Sequence, residues 1–172
     1  MTAYLAVIDM QRVFGEPSSP WATPGYAAIV PAVQALVAAF GDAVTFTRFV
    51  APAQPQGAWA EYYAQWPFAL QPPDAALWDL TSGLAGPTVD ATTFGKWEVL
   101  TDRVGDATLV LCGVSTDCCV LSTALAAADA GVRVQVVADA CAGVDEASHR
   151  KTLDVLALYG PLVEVVSSED VL

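Results

Sequence analysis

ATLVLCGVSTDCCVLSTALAAADAG, residues 107–131, changes its periodicity halfway along. From Ala107 to Val114 apolar residues dominate without helical spacing, as in a strand buried on both faces of a parallel sheet. From Asp117 the pattern is alanine-rich and helical up to Gly131. Thr116 is the expected N-cap between them, which puts Asp117, Cys118 and Cys119 in the first helical turn. Both thiols then lie near unpaired backbone N–H groups and the positive end of the helix dipole, where a thiolate is favoured.

The same alternation runs through the chain. Strand-like runs at Tyr4–Ile8, Ala43–Arg48, Thr88–Asp90, Ala107–Val114, Val132–Ala138 and Leu162–Val166 are separated by helix-like segments, the pattern of an α/β sheet. The first long helix is expected from Pro31 to Phe40 with Gly41 as its stop, and Gly131 and Gly160 end two later ones. Ala51–Pro73 holds five prolines, two tyrosines and two tryptophans. It is too aromatic for a linker, and reads as a packed excursion with a short helix over Trp59–Trp66 that could wall a pocket.

A chain of 172 residues, 55% of them hydrophobic, is expected to form one domain. Its apolar runs are shorter than the ~18 residues of a membrane span, and MTAYLAVIDM lacks the features of a signal peptide, so a cytoplasmic protein is expected. Two of the four cysteines are adjacent and the others lie in or after strand-like runs, which favours reduced thiols. Nineteen acidic against seven basic residues give a net charge of −12, which argues against nucleic acid and anionic membrane surfaces as partners. With five arginines and two lysines, a polyanionic substrate is disfavoured too.

GVSTDCCV (Gly113–Val120) resembles the nucleophile motif of the cysteine-hydrolase, or isochorismatase-like, family, roughly G-x-x-T-x-x-C-V, with Gly113, Thr116, Cys119 and Val120 in register. YLAVIDMQRVF, with Asp9, Gln11 and Phe14, and VVADACAG (Val136–Gly143) extend the likeness over most of the chain. The resemblance implies a single-domain three-layer α/β/α fold on a mainly parallel six-stranded sheet of order 3-2-1-4-5-6. In that order the crevice lies between strands one and four, so Asp9 and Cys119 would meet where such sheets bind ligands. It also implies Cys119 as nucleophile, Asp9 as its base, a catalytic lysine, and an oxyanion hole from the Ser115 and Cys119 amides beside a cis peptide bond before Ser115. A small-molecule substrate and a homo-oligomer are further implications.

The lysine fits the family pattern poorly, because Thr88–Ala91 holds none and Lys96 comes two residues after Phe94. Lys96 either reaches the site through a shifted loop or is a surface residue. Cys112 and Cys141 read as core thiols, Cys118 as a passive neighbour, and Asp139 as a turn cap at the end of the fifth strand. His149, the only histidine, reads as a solvated helix residue. That argues against a Cys-His or Ser-His-Asp hydrolase and against the histidine cluster with which metal-binding nicotinamidases hold an ion. Phosphate-loop and dinucleotide motifs are missing, so neither cofactor nor metal is expected. The expected activity is thioester-mediated hydrolysis of a small amide. Its competitors are vinyl-ether hydrolysis of an isochorismate-like compound, a thiol-redox protein, and a catalytically silent binding protein.

Overall fold

The structure, a computed structural model, describes residues 2–172. Six strands, β1 (Ala3–Ile8), β2 (Val44–Phe49), β3 (Thr88–Ala91), β4 (Thr108–Val114), β5 (Val134–Ala142) and β6 (Val163–Val166), form one parallel sheet. Their order is β3-β2-β1-β4-β5-β6, as the resemblance implied. The helices are α1 (Arg12–Gly15), α2 (Tyr26–Phe40), α3 (Ala58–Gln65), α4 (Trp97–Val104), α5 (Leu121–Asp129), α6 (Glu146–Ala157) and α7 (Ser168–Val171). None among the described residues is long and apolar enough to cross a membrane.

The side-chain alternation of the central strands builds two cores. Leu5 and Val7 of β1 pack with Val110 and Cys112 of β4 against Ile29, Val33 and Leu36 of α2. Ala6 and Ile8 point the other way, joining Leu109 and Leu111 against Leu100 of α4, Ala124 and Ala127 of α5 and Leu156 of α6. A third, aromatic cluster around Phe49, Tyr63 and Trp78 joins the Ala51–Pro73 excursion to the strand ends, and its helix, α3, lies within one residue of the expected span.

Three expectations are corrected. The first long helix begins at Tyr26, so Pro31 lies inside it rather than at its start. Proline suits a first turn, but Tyr26 and Ile29 are buried, and burying them draws a preceding turn into the helix. The Tyr26 hydroxyl pairs with Thr81 Oγ1 at 2.9 Å. At the other edge β5 continues past Ala138 to Ala142, so Asp139 is within the strand and not at its end. Its carboxylate accepts from Ser168 N (2.7 Å) and Ser168 Oγ (2.5 Å), holding the start of α7 rather than the turn after β5. Finally, Thr116 is not the N-cap. Ser115 takes that position, and Thr116–Val120 form one wide π-turn before α5, with Val120 N–H donating to Ser115 O at 3.1 Å.

Gly113 brings the end of β4 against β1. Its φ is +109°, and a Cβ built there would collide with the Ile8 carbonyl oxygen. Ile8 and Gly113 are paired at the last step of the β1–β4 ladder, one residue before Asp9 on one strand and two before Ser115 on the other.

Candidate active site

Asp9 leaves β1 with φ +50°, a left-handed conformation for a residue with a side chain. It is fully buried, and its backbone N–H donates to Thr47 Oγ1 at 3.1 Å. The Thr47 hydroxyl in turn donates to Asp9 Oδ1 at 2.6 Å. One carboxylate oxygen is thereby fixed by β2. The other, Oδ2, lies 3.0 Å from Lys96 Nζ but receives no hydrogen bond, so it is an acceptor with room for a proton.

Lys96 is fully buried, which overturns the surface alternative. It immediately precedes α4, and its backbone N–H donates to Thr123 Oγ1 at 2.9 Å; that hydroxyl donates to Cys119 O at 2.7 Å. Its ammonium donates to Thr93 O at 2.5 Å and sits 4.9 Å from the centre of the Phe49 ring. The loop after β3 therefore delivers a lysine from two residues beyond Phe94 to the carboxylate at the end of β1. A buried pair of this kind loses its solvation, and removal of either partner would strand a charge.

Cys119 lies in the π-turn, 5% exposed, and lines a cavity of about 420 Å³ together with Cys118 and Ser115. The Val114–Ser115 peptide bond is cis, as the resemblance implied. The expectation of a favoured thiolate is corrected for Cys119: its hydrogen bond with Cys118, burial and the Asp9 carboxylate push the thiol well up, and the Lys96 ammonium only partly opposes them. Cys118 is half-buried and shifts the opposite way, lowered chiefly by its bond with Cys119. The Cys118 bond, burial and Asp9 thus work against the thiolate at Cys119 that its place after the strand suggested. Cys112 and Cys141 are buried in the two cores, and burial pushes Cys141 up to about 12.

His149 is corrected as well. It is half-buried, and its Nδ1 pairs with Thr116 Oγ1 at 2.8 Å, tying α6 to the π-turn. Gly143 permits that approach, since a Cβ there would stand 2.6 Å from Asp117 Oδ1 and 3.1 Å from His149 Cβ. Thr47 and Thr123, which hold Asp9 and join Lys96 to Cys119, were not singled out in the sequence. Threonine is ordinary in a strand and unremarked in a helix, so only the fold shows what their hydroxyls reach. Gln11 is a further fixed point: its side chain donates to Phe49 O and Trp78 O, both at 2.9 Å, and accepts from Phe49 N at 2.8 Å, pinning the aromatic wall. Among the described residues no group of three or more His, Cys, Asp or Glu side chains could hold a metal ion, so the histidine-rich ion site of metal-binding nicotinamidases does not fit.

A family model, the isochorismatase domain, matches residues 3–170. Among solved structures, the chain is similar to a cysteine hydrolase from Pseudomonas syringae pv. phaseolicola 1448A at 22% identity, covering 98% of this chain and 90% of that one, with a TM-score of 0.83. An isochorismatase family protein from Desulfovibrio vulgaris is 21% identical over 99% of this chain and 96% of its own, with a TM-score of 0.84. A nicotinamidase/pyrazinamidase from Acinetobacter baumanii is 22% identical over 99% and 98%, with a TM-score of 0.79. No curated protein matches the sequence.

Proposed function

The chain belongs to the isochorismatase family of hydrolases, and from that premise we propose that it is a cofactor-independent cysteine hydrolase cleaving the C–N bond of a small-molecule amide. The observation that carries this reading is the buried Asp9–Lys96 pair, 3.0 Å apart, joined through Thr123 to the turn that holds Cys119 at the cavity wall. A carboxylate whose Oδ2 receives no hydrogen bond, and whose charge raises the Cys119 thiol, is suited to take that thiol's proton.

In the proposed sequence Asp9 takes the Sγ proton as Cys119 attacks the amide carbonyl carbon, and the carbonyl π electrons move to oxygen. The Ser115 and Cys119 amides receive that oxyanion. Collapse breaks the C–N bond, and the proton on Asp9 goes to the departing nitrogen. Water, deprotonated by Asp9, then attacks the thioester carbonyl. The acid leaves, and the proton returns to the Cys119 sulfur. Lys96 offsets the repulsion between carboxylate and developing thiolate throughout.

Vinyl-ether hydrolysis would need an acid rather than a nucleophile, and a cysteine at the cavity wall argues for the amide. The silent-binder alternative rested on a vacant lysine role, and the buried position of Lys96 removes that support. Incubation with a panel of primary amides tests the reading. Ammonia release by the wild type, lost in Cys119→Ser, with an acyl mass adduct mapped to Cys119 after acid quench, is the expected result. Ammonia release that persists in Cys119→Ser would overturn the covalent route.

A further inference from the structure

The cavity beside Cys119 has an unusual balance of charge. Its single charged lining residue is Asp117, and no lysine, arginine or histidine lines it. The one ammonium nearby, Lys96, is fully buried behind the wall and paired with Asp9. Asp117 is held in place because its Oδ1 accepts from Val144 N at 2.8 Å, from the loop between β5 and α6. Asp117 thus belongs to the cavity lining, and no ion pair among the described residues engages its carboxylate.

The rest of the wall is aromatic. Trp21 stacks on Phe14 with ring centres 6.0 Å apart and planes 8° from parallel, while Tyr62 and Trp66 meet Trp21 at 5.9 Å and 6.1 Å with planes tilted by 40° and 69°. Trp21, Tyr62 and Trp66 all line the cavity, and their planes are tilted against one another. Their faces carry negative quadrupole density, which attracts a cation and repels an anion. The Tyr62 phenol, pushed up to about 12 chiefly by burial, stays neutral. Neutral apolar groups would also fit such walls, but they would leave the Asp117 carboxylate with its backbone hydrogen bond and no counter-charge, whereas a cation supplies one.

We infer that the site takes amides carrying a fixed positive charge, an alkylammonium headgroup seated among Trp21, Tyr62 and Trp66 with Asp117 as its counter-charge. This rests on the amide-hydrolase reading for the position of the scissile bond, and the headgroup assignment is tested separately from it. The overall charge of −12 acts in the same direction, raising the local concentration of cations around the protein.

Three primary amides of matched length separate charge from shape: 4-(trimethylammonio)butanamide, its neutral isostere 5,5-dimethylhexanamide, and the anionic monoamide of glutaric acid. Binding to Cys119→Ser is measured by calorimetry, and kcat/KM on the wild type. The cationic amide is expected to bind about 10-fold or more tightly than the neutral isostere, with the anion weakest. Asp117→Asn, which keeps an oxygen to accept from Val144, should narrow that preference at least severalfold. Equal or tighter binding of the neutral isostere, or no binding of any of the three, overturns the headgroup assignment whether or not amides are hydrolysed. If the cation is preferred but never hydrolysed by the wild type, the amidase reading fails and the headgroup site stands. The isostere comparison leaves Trp21, Tyr62, Trp66 and Asp117 unaltered, so it decides the matter even if Asp117→Asn does not fold.

Discussion

Asp9 alone among the described non-glycine residues has a positive φ, a backbone choice that costs on the order of 1–2 kcal/mol. It is held there by Thr47 from below and Lys96 from the side. Two substitutions should move the Cys119 thiol in opposite directions. In a Cys118→Ser background, Lys96→Met removes the charge that lowers the thiol and should shift the pH midpoint of Cys119 alkylation upward; Asp9→Asn removes a charge that raises it and should shift the midpoint downward. Alkylation rate against pH, read by intact mass, checks both, and unchanged midpoints would separate the pair from the thiol. Asp9→Asn should also slow turnover by roughly 100-fold or more. Lys96→Met strands a buried carboxylate and should destabilise the fold by about 3–5 kcal/mol, a loss that the double variant with Asp9→Asn should largely restore in a denaturant titration. The positions of Asp9 and Cys119 were legible because Asp9 closes an apolar run and Cys119 falls in the motif where a strand-like run gives way to a helix-like one. The position of Lys96 was not, because a loop's path depends on what it packs against, here Thr123 and Phe49, and neither is near it in sequence.

At the scale of elements, the strands were legible to within a few residues because two-sided burial writes long apolar runs, and β4 is buried at every position. Their ends were less so. The sequence carries a glycine before the Ser-Thr pair, but not the fact that Gly113 must lie flat against Ile8 while the next turn opens to a π-turn. Gly113→Ala meets both a disfavoured φ and a collision with backbone, which cannot rotate away as a side chain could. It should cost at least about 2 kcal/mol in thermal or chemical unfolding. Because the same residue sets the distance between Asp9 and the Cys119 turn, any folded fraction should turn over more slowly as well. Full stability with full activity in this variant would show that the two strand ends have slack. Pro31 teaches a different lesson: a local signal for a helix start was overridden by the burial of Tyr26 and Ile29 one turn earlier.

For the whole molecule, the order in which strands are added reverses between β1 and β4, and the ends of those two strands emerge there side by side. That much followed from the family likeness. The aromatic wall was legible separately, in the composition of Ala51–Pro73, whose Tyr62 and Trp66 line the cavity; the part played by Trp21 was not, since nothing in its own stretch of sequence points to that packing. Because the described donors form no metal-binding group, turnover should survive exhaustive dialysis against EDTA, and loss of activity restored by zinc would overturn the thiol mechanism. The aromatic mass also has an optical consequence. Trp21, Trp59, Trp66 and Trp78 stand within 4.9 to 6.4 Å, centre to centre, of other rings, close enough for their excited states to couple. The near-ultraviolet circular dichroism of this protein should therefore be dominated by one patch of the molecule, and its bands should change on occupation of the cavity while the far-ultraviolet spectrum stays constant, giving a spectroscopic record of the pocket alone.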